Sequence, residues 1–174
     1  MQCDVNSSVF SSAVAQQKLN DLEQYTRKNS VRIFEVNDKN RDETTEQTME
    51  AAVGVLKKIG VDIKVGDINI AHRLGKFKEG SSRPMTVKFV SRIHKQKVLY
   101  NRRKLEGSGI GIAEDLTAKD LAYLQQLKEE KTVEAAWTRD TKFFVKLKSD
   151  GKIIKVYPTK YLHKYAYDSD IIYP

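Results

Sequence analysis

The order in which strand-like and helix-like hydrophobic patterns alternate between residues 30 and 113 most constrains the fold. Four segments are β-branched or partly alternating, a pattern typical of strands: Val31–Val36, Asp67–Arg73, Met85–Val90 and Ile110–Ile112. A helix is predicted after Thr44-Thr-Glu-Gln47, whose spacing is that of a capping box, and Gly60 can end it. Ser91 can cap a second helix that runs to about Leu105. The order is therefore β-α-β-β-α-β.

This order predicts a split βαβ arrangement, in which four antiparallel strands carry both helices on one face. We therefore expect a ferredoxin-like domain of the RNA-recognition type over residues 30–113, within an α+β protein. Because many functions share this topology, it does not by itself decide the role of the chain.

A smaller α+β domain is predicted over residues 114–165. Thr117 can start a helix that carries Leu121, Leu124 and Leu127. Two alternating runs, Lys142–Lys148 and Lys152–Tyr157, flank Asp150-Gly151, which predicts a hairpin with a two-residue turn. That turn would pair Val145 with Val156 and Lys146 with Lys155. One face of the hairpin would be apolar, and the other would carry lysines and aromatic side chains.

The two ends of the chain are predicted to be simpler. Residues 1–14 are Ser-rich without a hydrophobic period and read as a disordered leader. Residues 15–29 carry a weak heptad seam that includes Leu19 and Leu22. This seam indicates either a short helix that caps the next domain or a coiled-coil remnant. A short helix is expected at Tyr161–Tyr165, followed by a tail over residues 166–174.

Basic residues are segregated along the chain. The formal net charge is +8. The stretch from His72 to Lys104 holds eleven basic residues and one acid, whereas Glu114–Glu134 holds six acids and three lysines. Solubility does not require such segregation, but a surface that binds a polyanion does, because each neutralised phosphate releases counterions. A solubilising surface remains the alternative.

Candidate binding residues follow from these patterns. In the first sheet, Arg32 and Lys88 should point away from the core. Arg73 ends the second predicted strand, and Lys76 belongs to the basic loop that follows it. Thr86 also points outward there, so few aromatic side chains are available to stack bases, and we expect contacts to the backbone of the nucleic acid. Three consecutive cations end the second helix: Arg102, Arg103 and Lys104.

The second domain offers a different set of candidates. The polar face of the predicted hairpin carries Lys142, Lys146 and Lys155, and Trp137 and Arg139 lie just before it. Lysines can meet phosphates while aromatic rings stack on bases. The alternatives are a solvated outer face for the hairpin and a core position for Trp137, the single tryptophan of the chain.

Catalysis finds little support in the sequence. The three histidines have no metal-ligand spacing with Cys or carboxylates, and neither a P-loop nor a nucleophile elbow is present. We expect a non-enzymatic protein without a cofactor or metal. No apolar run is long enough to span a bilayer and no signal pattern begins the sequence, so we expect a cytoplasmic or nuclear location without a membrane partner.

Several motifs resemble the first-open-reading-frame proteins of LINE-type retrotransposons. They are Leu22–Ile33, Ile70–Gly75, Arg83–Phe89 and Asn101–Lys104. Trp137–Tyr157 is similar to the carboxy-terminal part of the related baculovirus few-polyhedra proteins. The resemblance implies a trimerising coiled coil, an RNA-recognition domain and a carboxy-terminal domain, with RNA in the basic cleft between the last two. It also implies phosphate contacts for Arg102–Lys104, an aromatic site at Trp137 and activity as a nucleic-acid chaperone. This chain departs from the pattern because it has almost no coiled coil.

The sequence therefore predicts a protein that binds single-stranded RNA, or DNA, mainly through phosphates and largely without regard to sequence. It would act in a ribonucleoprotein, with a homotrimer formed only through a longer coiled coil. The rival hypothesis is a protein-interaction adaptor that uses the same fold and the amino-terminal helix.

Overall fold

The computed structural model describes residues 2–38 and 41–158, with side chains from residue 11 onward. The chain divides into two compact units. The first is Arg27–Asp115, and the second joins the segment up to Thr26 with the segment from Leu116 onward. The predicted helix at Tyr161–Tyr165 and the tail over residues 166–174 lie outside the described residues.

The described residues form α-helices and two antiparallel sheets, so the chain is of mixed α and β composition. In chain order the elements are α1 (Gln2–Thr26), β1 (Ser30–Phe34), α2 (Thr45–Lys58), β2 (Ile68–Arg73), β3 (Met85–Phe89), α3 (Arg92–Asn101), β4 (Gly111–Glu114), α4 (Ala118–Glu129), β5 (Val133–Arg139), β6 (Lys142–Leu147) and β7 (Ile153–Val156). Two short 3₁₀ helices, Val65–Asp67 and Arg102–Leu105, precede β2 and follow α3.

The sheet of the first unit has the strand order β2-β3-β1-β4, and each neighbouring pair is antiparallel. The strand period of two turns Val31, Ile33 and Val87 into the core, where each is fully buried. Arg32 and Lys88 lie on the opposite face, as the alternation predicts. Buried residues of α2 and α3 belong to the same hydrophobic core as the inward face of the sheet.

Helix ends in this unit follow the predicted signals. The Thr44 hydroxyl accepts from the Gln47 N–H, and the Gln47 side chain accepts from the Thr44 N–H, which completes the capping box. Gly60 has φ 72° just after α2, a conformation that favours glycine. The Ser91 hydroxyl caps α3 by accepting from the Ile93 N–H. The sequence therefore located these helix ends correctly.

The second unit packs α4 against one face of a three-stranded sheet of order β5-β6-β7. Thr117 caps α4 by accepting from the Asp120 N–H. The core of this unit consists of apolar residues from both layers: Leu116, Leu124, Leu127, Val133, Ala136, Phe143, Val145 and Val156. The Tyr123 ring meets the edge of Phe143 with ring centroids 5.0 Å apart.

The predicted register of the β6–β7 hairpin is wrong. Val145 pairs with Ile154, and Lys146 pairs with Ile153 rather than with Lys155. The Leu147 N–H donates to the Lys152 carbonyl, so residues 148–151 form the loop in place of a two-residue turn. Gly151 takes the left-handed position that closes this loop, with φ 69°. Because the shift is two residues, both faces keep their predicted composition.

Helix α1 extends from Gln2 to Thr26, so the prediction of a disordered leader over residues 1–14 is wrong, whereas most of the segment predicted to be helical, residues 15–29, lies in the helix. Neither glycine nor proline occurs in this segment, so no residue interrupts the helix. Its later turns contact the start of α4 through polar side chains. The Asn20 amide donates to Asp120 at 2.9 Å, and the Thr117 N–H donates to the Gln24 side chain at 2.8 Å. The opposite side of α1 leaves Leu19 and Leu22 exposed.

The turn between β5 and β6 generates a stability prediction. Asp140 and Thr141 occupy this two-residue turn with φ 54° and 63°. Such turns favour Asn-Gly, because the left-handed region is costly for other residues and most of all for β-branched ones. We expect Asp140→Asn with Thr141→Gly to raise the free energy of unfolding by about 1 kcal/mol, measured by urea denaturation.

A matched control is Ser149→Gly in the β6–β7 loop. Ser149 does not have a positive φ, so the added chain freedom should lower stability there. An Asn-Gly variant that unfolds at the same or lower urea concentration than the parent would contradict the strain assigned to the turn.

Candidate nucleic-acid interface

The exposed side of the second sheet gathers most of the candidate residues of that unit. We call it the outer face and define it by side chains opposite the core. They are Glu134, Trp137 and Arg139 on β5, Lys142, Phe144 and Lys146 on β6, and Ile153, Lys155 and the following Tyr157 on β7. Strand pairing places Trp137 opposite Phe144, Phe144 opposite Lys155, and Arg139 opposite Lys142. The structure thus brings all five sequence-predicted residues of this unit to one surface.

A β-bulge at Glu134 and Ala135 puts Trp137 on this surface. Val133 pairs with Leu147 and Ala135 with Lys146, so the register shifts by one residue between them. Strict alternation would place Trp137 on the same face as buried Val133. The extra residue reverses the alternation, so that Val133 and Ala136 enter the core while Trp137 faces outward.

Trp137 and Phe144 form a stacked pair. Their ring centroids lie 6.2 Å apart with an interplanar angle of 17°, and both side chains are half-buried. Aromatic surface held rigidly in this way on a sheet can receive a further flat ring without losing much side-chain entropy.

The cations around this aromatic pair differ in whether another side chain contacts them. Arg139 and Lys142 are exposed and directly opposite each other next to the β5–β6 turn. Within the described residues, neither side chain has an ion pair or hydrogen bond. Lys155 lies over the Tyr157 ring, 4.4 Å from its centroid, and also contacts its hydroxyl. Like charges directly opposite on a sheet repel, so Arg139 and Lys142 together favour an anion between them.

Two aspects of this face were missed from the sequence. Phe144 and Tyr157 were expected on the face but not as site residues, although their alternation with lysines was a usable signal. Glu134 was not considered, and it pairs with Lys146 at 2.8 Å. No sequence signal marks the bulge that brings Glu134 to the same surface.

The first unit holds its predicted cations more tightly. The Arg32 guanidinium donates to Asp115 at 2.8 Å, and Arg27 donates to the same carboxylate at 3.0 Å. Asp115 is buried, and the two arginines balance its charge. Arg32 thus already has an anionic partner within its own unit.

Arg73 is a buried structural residue in this geometry. Only 3% of its side chain is exposed, and its Nε lies 3.2 Å from a Glu43 carboxylate oxygen. The remaining guanidinium nitrogens donate to the carbonyls of Val36, Asn37 and Arg83 at 2.8–2.9 Å. Because so little of the side chain is exposed, Arg73 is poorly placed to contact a phosphate, and it is not part of the interface.

The three consecutive cations after α3 differ in their contacts. Arg102 donates to the Ile112 carbonyl at 3.4 Å, a long contact, and Lys104 donates to the Ile59 carbonyl at 3.2 Å. Ile59 caps the carboxy-terminal end of α2, where a cation is favoured by the helix dipole. Arg103 is exposed and has no such contact among the described residues. Lys76 is likewise exposed, and Lys88 is half-buried on the outward face of β3.

The basic loop between β2 and β3 is anchored by an ion pair. The Arg83 guanidinium donates to Asp38 at 2.6 and 3.1 Å, and it also lies over the Phe77 ring. The Asp38 side chain is fully buried. Hydrogen bonding from Arg83 holds the pKa of Asp38 below its ordinary value, although burial opposes this shift. The pair fixes the loop that presents Lys76 and Lys78.

Comparison with known proteins adds no relative, because no family model and no curated protein matches the chain. Among the described residues, no group of three or more His, Cys, Asp or Glu side chains is arranged to hold a metal ion. Within the same part of the chain, every helix is too short or too polar to cross a bilayer.

The Asp38–Arg83 pair predicts a stability effect with a definite pH dependence. Asp38→Asn should lower the free energy of unfolding at pH 7 by about 3 kcal/mol, because Arg83 keeps its charge in a largely buried position. The pKa of Asp38 is lower in the folded state than in the unfolded state. The ionised carboxylate therefore contributes its full stabilisation above the unfolded-state pKa, and this stabilisation is lost as the pH falls through the folded-state pKa. The difference between parent and variant should therefore shrink below about pH 4.

Urea denaturation between pH 7 and pH 3 measures this difference. Asp62→Asn removes an exposed carboxylate from the same unit and serves as the control, with little effect expected at neutral pH. A difference for Asp38→Asn that stays constant down to pH 3 would show that the ion pair does not stabilise the fold.

Proposed function

We propose that this protein binds single-stranded nucleic acid, RNA in the first place, without catalysing a reaction on it. The observation that carries the proposal is the outer face of the second sheet. There, the stacked rings of Trp137 and Phe144 lie beside the exposed pair Arg139 and Lys142. Bases would stack on the aromatic pair, and phosphates would meet the two cations.

Recognition of this kind is largely independent of sequence. Every base has a flat face that can stack, and phosphates carry no sequence information. Double-stranded nucleic acid keeps its bases stacked internally, so the aromatic pair favours a single strand. The uneven distribution of charge along the chain supports the same class of ligand.

For the first unit we propose an RNA-recognition-type fold. Its element order β1-α2-β2-β3-α3-β4 and strand order β2-β3-β1-β4 support this, since both are those of the split βαβ arrangement. In this proposal Arg103, Lys76 and Lys88 add phosphate contacts. Arg102 and Lys104 would contribute their charge while remaining bonded to carbonyl groups of their own unit.

The resemblance to retrotransposon first-open-reading-frame proteins extends the proposal to a ribonucleoprotein component with nucleic-acid chaperone activity. In such a protein, α1 would continue a coiled coil that joins several copies. The exposure of Leu19 and Leu22, 66% and 65%, supports a partner for this side of the helix.

The second candidate function is a protein-interaction adaptor, and the same exposed side of α1 favours it. Tyr25 is also exposed there, at 70%. The absorbance ratio at 260 and 280 nm of protein purified without a nuclease step separates the two candidates. Co-purified nucleic acid favours the first, and its absence together with a stable protein partner favours the second.

Arg139 and Lys142 should contribute to the salt dependence of oligonucleotide binding. For a labelled single-stranded oligonucleotide, Arg139→Gln with Lys142→Gln should reduce the log–log salt slope by about 1.4, because two phosphate contacts are lost. At about 0.1 M salt this corresponds to roughly 25-fold weaker binding. The control Lys128→Gln with Lys131→Gln makes the same change in net charge at exposed positions outside the strands. Equal effects of the two double variants would exclude a defined phosphate site.

Stacking is tested separately. Trp137→Leu should weaken binding by about 1–3 kcal/mol for every oligonucleotide sequence, while Trp137→Phe should keep most of the affinity. Fluorescence anisotropy of the labelled oligonucleotide measures both variants, and circular dichroism checks that each is folded. A leucine variant that binds as tightly as the parent would remove Trp137 from the interface.

A further inference from the structure

The ion pair between Glu134 and Lys146 stands on the outer face beside the proposed ligand. The Lys146 ammonium lies 2.8 Å from the Glu134 carboxylate, and the side chains are 39% and 49% exposed. Lys146 is two residues from Phe144 along β6, on the side away from Arg139 and Lys142. In the described part of the chain, the stacked pair therefore has cations without an ion pair at one end and a neutralised cation at the other.

The bulge is what puts the carboxylate there. Glu134 and Ala135 together span the position opposite Lys146, because the register shifts between Val133 and Ala135. Bulges can re-aim a side chain in this way, and both residues are exposed. The one feature of β5 that exposes Trp137 also supplies an acid to the lysine beside it.

We infer that Glu134 is an intramolecular competitor for phosphate, which limits the affinity of the outer face and closes one of its ends. Its carboxylate oxygen occupies the position that a phosphate oxygen would take on Lys146. This inference rests on the proposed function, and it concerns a phosphodiester strand as the ligand. The strand would extend from the aromatic pair toward Arg139 and Lys142, and Lys146 would contribute little while Glu134 remains ionised.

Glu134 is also a suitable residue for a test. Exposed ion pairs contribute little to stability, so its loss should leave the sheet folded. Glutamine keeps the shape of the side chain and removes its charge. Glu130 directly follows α4, is exposed and offers the same charge change outside the sheet.

The experiment measures the binding of a labelled oligouridylate to four full-length proteins over a range of salt concentrations. These are the parent, Glu134→Gln, Glu130→Gln, and Glu134→Gln combined with Lys146→Gln. We expect Glu134→Gln to bind about fivefold more tightly at about 0.1 M salt and to steepen the log–log slope by about 0.7, because one more phosphate is neutralised. Glu130→Gln should match the parent, and the double variant should return to the affinity of the parent.

The outcomes separate the inference from the proposed function. Binding by the parent with no gain in Glu134→Gln beyond that in Glu130→Gln overturns the inference alone. A gain that persists in the double variant also overturns it, since Lys146 would not be the cation that Glu134 masks. If none of the four proteins binds even at about 50 mM salt, where phosphate contacts are strong, the proposed function fails and the inference fails with it.

Discussion

The β-bulge at Glu134 and Ala135 is the constraint on which the candidate interface depends. A regular strand would bury Trp137 together with Val133, and the outer face would then hold no tryptophan. The extra residue keeps Val133 and Ala136 in the core and turns Trp137 against Phe144. The same residue places a carboxylate at Lys146, so the aromatic platform and its nearest acid have one structural origin.

The second unit depends as well on a polar contact between distant parts of the chain. Gln24 accepts from the buried Thr117 N–H at the start of α4. Asn20 bonds to the side chains of Thr117 and Asp120 in the same place. Burial raises the pKa of Asp120, and the hydrogen bond from Asn20 opposes this. The polar side of α1 is thus occupied by α4, which explains why its leucines remain on the exposed side.

The sequence could predict the features that depend on the alternation of residues along a strand or on a capping residue at the start of a helix. The faces of β1, β3 and the β6–β7 hairpin follow from alternation, and the starts of α2 and α3 follow from Thr44 and Ser91. The end of α3 was predicted near Leu105, but the α-helix ends at Asn101 and a 3₁₀ helix continues to Leu105. The hairpin register could not be predicted, because it depends on whether Gly151 closes a short or a longer loop. The burial of Arg73 could not be predicted either, since its carbonyl partners come from segments up to 37 residues away. Clustered charge in the sequence therefore overstated how many cations of the first unit remain accessible.

The central claim is that Trp137 lies where a nucleic-acid base can stack on it. Because it is the single tryptophan of the chain, its intrinsic fluorescence reports on that position alone. Titration with an unlabelled single-stranded oligonucleotide should quench the emission to saturation, and added salt should restore it. Emission that stays unchanged while an independent assay detects bound oligonucleotide would contradict the account.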